Sequence, residues 1–282
     1  CSSDLAELSM SSYCVTLGRD NPAFVAIPVF PSSFFRHSCI FISASSGIQK
    51  PADLVGKRIG VPEYQMTAPV WIRGILQDEY GVDPASVTYH TGGEEEPGRD
   101  EKLKLDLPAK FQVDPIPADR TLSQMLANGE IDALYTARAP STFYTAPEKV
   151  RRLFPDFVEV EKGYFRKTGI FPIMHVVALR RDIYENNRWI AQALFKAFAQ
   201  AQELAYQELL VSASLKTMLP WQIAAVEDAI ATMGQRWWPY GVEANRHVIE
   251  PFLRYHHEQG LSSRLLAVDE MFAAETFSEF KI

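Results

Sequence analysis

Along the first two thirds of the chain, short apolar runs and two-residue alternation predict strands, and in the last third the period changes to that of helices. Asp4-Leu5-Ala6-Glu7-Leu8-Ser9-Met10 alternates as a strand and runs into a small-residue turn at Ser11-Ser12. Phe24-Val25-Ala26-Ile27-Pro28-Val29-Phe30 reads as a short apolar strand, and residues 34–43 as another, with Arg36-His37 set among apolar neighbours. Beyond residue 50 a buried strand over 56–61 feeds the loop Pro62-Glu63-Tyr64-Gln65. A helix then starts at Met66-Thr67 and continues through Trp71, Ile75 and Leu76 to Tyr80-Gly81. Strand, tight loop and helix together aim backbone N–H groups at an anion, although the glycines and the Gly-Lys-Ser/Thr ending of a phosphate loop are missing.

The charged stretch 91–110 reads as a solvated loop. A helix over 121–128, closed by Gly129, precedes a strand over 131–135. Residues 150–157 read as helix or loop, and 174–180 as a strand. Helical spacing of Ile190, Leu194, Phe198, Ala201 and Ala205 predicts a long helix over 189–210, followed by helices over 219–233, 245–259 and 270–280.

Two breaks, Ser45-Ser46-Gly47 and Thr168-Gly169-Ile170-Phe171-Pro172, read as crossings between lobes. Residues 50–164 are expected to form an inserted α/β lobe, and 1–49 with 165–282 the flanking lobe. A chain of 282 residues exceeds what one core usually organises, which supports two lobes. Two crossings make a double hinge, the construction of a clamshell that closes on a ligand. The expected class is α/β and two-lobed, with a helical C-terminal third.

Composition narrows the partners. A net charge of -7 with no basic stripe excludes nucleic acid as an expected partner. With no apolar run of about 18 residues, membrane insertion is not expected. Assembly into a homo-oligomer is compatible with these features. Cys1, Cys14 and Cys39 show no metal-ligand spacing and read as reduced thiols of a cytoplasmic protein. The Cys1-Ser2-Ser3 start also fits the mature end of a lipoprotein, which gives a periplasmic or lipid-anchored alternative; truncation is the preferred reading.

Candidate chemistry clusters near the crossings. Arg36 could grip a carboxylate with two donors and His37 could move a proton, but neighbours on a strand point to opposite faces, so at most one of them meets a given pocket. Gln65, Met66 and Thr67 stand at the helix start, where Thr67 could cap the helix while free N–H groups still meet an anion. Glu63 beside such a site is either an outward surface residue or a general acid held protonated. Arg138 and Ser141 follow a strand's carboxyl end, where open α/β sheets bind ligands; Arg138 could instead serve a surface ion pair. His175 lies on an apolar strand at the second crossing, either as a satisfied core residue or as a proton carrier. His247, His256 and His257 offer no third ligand and read as surface. Trp237-Trp238-Pro239-Tyr240-Gly241 reads as packing beneath the helical third.

Four stretches resemble the 4,5-dihydroxyphthalate decarboxylase family: residues 61–74, Phe35-Arg36-His37, Gly169-Ile170-Phe171-Pro172-Ile173-Met174-His175, and residues 238–245. The resemblance runs over nearly the whole chain. It implies the fold of type II periplasmic solute-binding proteins and the loss of carbon dioxide from a dihydroxylated aromatic diacid, giving a dihydroxybenzoate such as protocatechuate. Family members carry a few dozen further residues ahead of Asp4, so the flanking lobe is expected to lack its first strand–helix–strand. In the implied scheme Arg36, Arg138 and the Thr67 helix start clamp the spectator carboxylate, while His37, His175 and Glu63 share the proton work. The scheme needs no metal or organic cofactor. The rival is a receptor of the same fold that captures a small organic acid for an importer, a choice fold cannot make.

Overall fold

The computed structural model describes residues 3–277; Cys1 and the end of the expected 270–280 helix lie outside them. The chain runs through β1 (Leu5–Ser9), α1 (Met10–Leu17), β2 (Phe24–Ser33), β3 (Ile40–Ser43), β4 (Arg58–Val61), α2 (Thr67–Tyr80), β5 (Thr88–Thr91) and β6 (Gln112–Pro115). It continues with α3 (Leu122–Ala127), β7 (Ala133–Tyr135), α4 (Ser141–Thr145), β8 (Val150–Arg152), α5 (Phe157–Thr168) and β9 (Ile173–Arg180). Helices α6 (Arg181–Asn186), α7 (Trp189–Leu209), α8 (Gln222–Met233) and α9 (Val242–Glu258) follow.

Two sheets organise these elements. The first has the order β1-β9-β2, antiparallel throughout, and the second the order β6-β5-β4-β7-β3-β8. In the second, β4 pairs in parallel with β5 and β7, and β5 with β6, whereas β3 is antiparallel to β7 and β8. Ile59, Gly60 and Val61 of β4 are buried, as in parallel strands covered on both faces. The chain passes between the sheets along 34–39 and returns along 169–172. The first passage therefore falls ahead of the expected Ser45–Gly47 break, because strand 40–43 pairs with β7 and β8. The two passages lie side by side: the Phe34 N–H donates to the Pro172 carbonyl at 3.0 Å, and the Phe35 and Phe171 rings are 4.8 Å apart.

Helix α2 matches its expected span, ending where Gly81 adopts φ 68°, a left-handed cap that favours glycine. Its first ten residues are buried on all sides, which an isolated lobe edge could not achieve. Helix α9 supplies the cover, with the Trp71 ring 5.2 Å from Phe252 in a tilted contact and 5.8 Å from Tyr255 edge to face. A Cβ at Gly74 would collide with the Tyr255 ring, so this close approach requires glycine. The helical C-terminal third thus braces the helix whose amino end faces the cleft.

Several expectations need correction. Ser11-Ser12 belongs to helix α1 and not to a turn, because Met10, Tyr13 and Cys14 on its inner side enter the core. Residues 34–39 are not strand: a tight helical turn over His37–Cys39 precedes β3. The stretch 150–157 contributes strand β8, and the charged stretch 91–110 is flanked by strands β5 and β6. Residues 270–277 form short turns, where the Ala273 N–H donates to the Ala26 carbonyl at 2.9 Å, instead of a helix. His256 is wholly buried and not on the surface, with Nε2 3.3 Å from the Ser11 carbonyl. The aromatic run packs as expected, its Trp238 indole donating to the Phe30 carbonyl at 2.7 Å.

Candidate active site

A cleft of about 930 Å³ lies between the two sheets. One wall comes from the first sheet and its passages: Ser9, Ser12, Phe34, Arg36, Met174 and His175. The other comes from carboxyl ends in the second sheet, after β4 (Glu63, Met66, Thr67), β5 (Gly93 to Arg99) and β7 (Thr136, Ala137, Arg138). This is where ligands of open α/β sheets sit.

Arg36 is only 5% exposed, yet no carboxylate lies within 4 Å of it among the described residues. Its Nε donates to the Met174 sulfur at 3.1 Å, and Nη1 to the Ala137 carbonyl at 3.3 Å and the Cys39 sulfur at 3.6 Å. Burial pushes the guanidinium below its ordinary value, opposed by Cys39 and Glu161. A buried cation held by soft and neutral acceptors, at the edge of a cleft, is poised for an incoming anion. Arg138 is exposed on the opposite wall and makes no ion pair among the described residues. Phe34, half exposed, sets its ring 5.0 Å from the Arg36 guanidinium and presents an aromatic face to the same space.

The amino ends of α1 and α2 also open here. Ser9 and Ser12 flank one, Met66 to Ala68 the other, and Ser9 Oγ lies 2.8 Å from Thr67 Oγ1. Thr67 does not cap its own helix; its hydroxyl accepts the Ser11 N–H at 3.0 Å and so joins the two helix starts. Two helix amino ends and two arginines therefore face this cleft, groups whose charge and N–H donors favour an anion.

His175 lies on β9, level with Ser9 of β1 and Ser32 of β2. Its Nδ1 meets the carboxylate of Glu7, and its half-exposed ring lines the cleft. A carboxylate on one ring nitrogen fixes orientation and leaves the other nitrogen for proton exchange.

Of the remaining sequence candidates, Glu63 lines the cleft, whereas His37, Gln65 and Ser141 do not. His37 is 1% exposed and lies behind the passage, ringed by Tyr80, Phe154 and Tyr164 at 5.3–6.1 Å. Neither of its ring nitrogens has a hydrogen-bond partner, and burial pushes its pKa down to about 4. Glu63 is 2% exposed, so it is not a surface residue, and it is ion-paired. Arg99 Nε donates to its Oε1 at 2.9 Å, with Arg99 Nη2 on the same oxygen, Lys102 lies 3.5 Å away, and Gln65 Nε2 donates to Oε2 at 3.2 Å. Gln65 itself is fully buried, taking the Ser12 hydroxyl at 3.2 Å. Ser141 is outside the cleft lining; its N–H and hydroxyl both donate to Glu95 at 2.6 Å.

The loop expected to be mere solvated surface forms a wall. Gly93 to Arg99 and Lys102 line the cleft, and a Cβ on Gly93 would collide with the Glu96 carbonyl. That Gly-Gly pair was the available signal, since adjacent glycines mark a tight backbone approach. No group of three or more His, Cys, Asp or Glu side chains is placed to hold a metal ion among the described residues.

A 4,5-dihydroxyphthalate decarboxylase of Comamonas testosteroni is 42% identical to the chain over 279 residues, which covers 99% of this chain and 84% of that protein. The chain belongs to the 4,5-dihydroxyphthalate decarboxylase family. A second decarboxylase of that name, from Pseudomonas putida, is 50% identical over 163 residues, 58% of this chain and 63% of that protein. No family model matches the chain. Among solved structures, the periplasmic sulfonate-binding protein SsuA of Methylobacillus flagellatus aligns at a TM-score of 0.55 and 15% identity, covering 95% of this chain and 72% of that one. The aliphatic sulphonate-binding protein SsuA of Escherichia coli aligns at 0.52 and 15%, covering 98% and 81%. This member of the decarboxylase family therefore has the two-lobed α/β fold of periplasmic binding proteins, with a helical C-terminal part. No helix among its described residues is long and apolar enough to cross a membrane.

Proposed function

We propose that this protein removes carbon dioxide from 4,5-dihydroxyphthalate, leaving protocatechuate. The observation that carries the reading is one cleft in which two arginines, Arg36 and Arg138, are unspent by carboxylates beside a histidine, His175, oriented by Glu7. Family membership supports the same reaction.

The chemistry follows from the substrate. Each carboxylate is para to a phenol, so ionising that phenol raises electron density on the carboxylate-bearing carbon. Protonation of this carbon breaks aromaticity, and departure of carbon dioxide restores it. The protein must hold the spectator carboxylate, take the phenol proton and deliver a proton to carbon. In our reading Arg36 and Arg138, with the amino end of α2 at Met66 and Thr67, hold the carboxylates, and Phe34 stacks on the ring. His175 Nε2 takes the phenol proton while Glu7 steadies the imidazolium that forms. Gln65 and Glu63 position the wall, and His37 and Ser141 have no part in the reaction.

We further read the two sheets as two lobes joined at 34–39 and 169–172, which close on the substrate. Buried free thiols at Cys14 and Cys39 support a cytoplasmic setting, and the acidic net charge supports a small organic acid over nucleic acid as partner. The test is direct. Purified protein incubated with 4,5-dihydroxyphthalate should release carbon dioxide and protocatechuate in equal amounts. Tight binding with no carbon dioxide would make the protein a receptor for a small organic acid.

A further inference from the structure

Four carboxylates line the cleft, and they are not equivalent. Glu63 is held by Arg99, Lys102 and Gln65. Glu95 is occupied by the N–H and hydroxyl of Ser141, and Glu96 is exposed to solvent. Glu94 alone among these is sheltered without a cation: no lysine or arginine nitrogen lies within 4 Å of it among the described residues. It follows Gly92-Gly93 at the carboxyl end of β5, and its backbone carbonyl accepts the Ser123 N–H of α3 at 3.0 Å, which fixes its place in the wall. One side-chain oxygen, Oε2, accepts the hydroxyl of Thr136, a fully buried residue at the carboxyl end of β7. The other, Oε1, is shielded from water and has no partner.

A buried carboxylate with one empty oxygen is costly unless it carries a proton or receives a donor. The reaction needs a proton for carbon, and neither His37, which is walled off, nor Glu63, which is ion-paired, is placed to give it. We propose that Glu94 is the catalytic acid that protonates the ring carbon. This assignment rests on the decarboxylation read above. In the step, the Glu94 O–H bond breaks and a C–H bond forms at the carboxylate-bearing carbon, using the electron pair pushed there by the para phenolate. The carbon–carboxylate bond then breaks, its electron pair returns to the ring, and carbon dioxide leaves. The phenolate recovers its proton from His175, and the Glu94 carboxylate is reprotonated from solvent, so one proton is consumed per turnover.

The electrostatics agree with the geometry. Burial pushes the Glu94 carboxyl above its ordinary value, with the Thr136 hydroxyl opposing; Glu95 raises it further, and Arg138 and Arg99 oppose. A carboxyl that must be protonated to work loses activity as pH rises through its ionisation.

The experiment compares wild type with Glu94→Gln and Glu94→Asp in the full chain, measuring kcat and KM for 4,5-dihydroxyphthalate across pH together with the melting temperature. Wild-type kcat should fall on the alkaline side. Glu94→Gln should lose at least about 100-fold in kcat, with KM within threefold and that alkaline fall abolished, and Glu94→Asp should recover part of the rate and the fall. A folded Glu94→Gln enzyme with kcat within threefold of wild type overturns the assignment. So does a loss shared equally by kcat, KM and melting temperature, which marks a structural role. A wild type that binds the diacid and releases no carbon dioxide overturns the reaction itself, a different failure from an active wild type matched by its Gln variant.

Discussion

Arg36 and His37 are consecutive and both almost inaccessible to water, yet one faces the cleft and the other the core. In front of the passage, Arg36 rests on Met174, Cys39 and the Ala137 carbonyl, acceptors too weak to neutralise it. Behind it, His37 is enclosed by Tyr80, Phe154 and Tyr164 with both nitrogens unpartnered. Both arrangements are costly for folding. Only the first borders a cavity that an anion could enter. A buried polar group is therefore evidence of function here when its free donors meet a cavity, and of packing when they meet rings.

The largest break in that contrast should come from Arg36→Met, which keeps the volume and removes the charge. In our scheme this removes a buried charge-assisted contact to the substrate carboxylate, a loss of about 4 kcal/mol, near 10³-fold in kcat/KM. The melting temperature should hold or rise, because an uncompensated buried cation disappears with the guanidinium. Steady-state kinetics and thermal melts check both halves. A drop in stability with kcat/KM preserved would mean that Arg36 is structural.

His175→Asn should come next, with about a 100-fold loss in kcat and KM within a few-fold, since the ring moves protons in our scheme and does not hold the carboxylates. Glu7→Gln should lose roughly tenfold, because it acts through the imidazole. If His175→Asn weakened binding of protocatechuate as much as it slowed turnover, the histidine would belong to the clamp.

What the sequence disclosed follows the reach of its signals. Helix α2 was legible because its start, its buried positions and its Gly81 cap are all local. The strand expected over 34–43 implies that Arg36 and His37 part company; they do so, but from a tight helical turn and not a strand, and which of them meets the cleft depends on α2 and α5 packing behind the passage. The charged loop was misread for the same reason. Arg99 and Lys102 look solvated until Glu63, 36 residues earlier, is placed against Arg99. Glu7 and His175, 168 residues apart, meet only because β1 and β9 pair in the first sheet. The thirds of the chain differ likewise: the expected spans of long helices α7 and α9 match to within three residues at each end, whereas β5 and β6 are four residues each and stay hidden between charges.

The smallest effect on activity, and the sharpest on stability, belongs to His37→Phe. Burial holds His37 at about 4 and His256 at about 3, whereas a free imidazole titrates near ~6.5. Below ~6.5 the unfolded chain therefore binds protons that the native protein refuses. The stability these two residues contribute is complete above that pH and is lost as pH falls through the window toward 4, by up to ~3 kcal/mol for His37. Phenylalanine suits the aromatic surroundings and removes two unsatisfied nitrogens. His37→Phe should thus keep kcat within twofold at pH 7 while flattening the fall in chemical-denaturation stability between pH 6.5 and 4; His256 and His90, both lowered by burial, keep contributing to that fall, and the raised carboxyls Glu94, Glu101 and Glu161 oppose it. Were a folded His37→Phe protein instead to lose tenfold or more in kcat at pH 7, the ring would have to reach the cleft when the lobes close, and the contrast between the two faces of the passage would collapse.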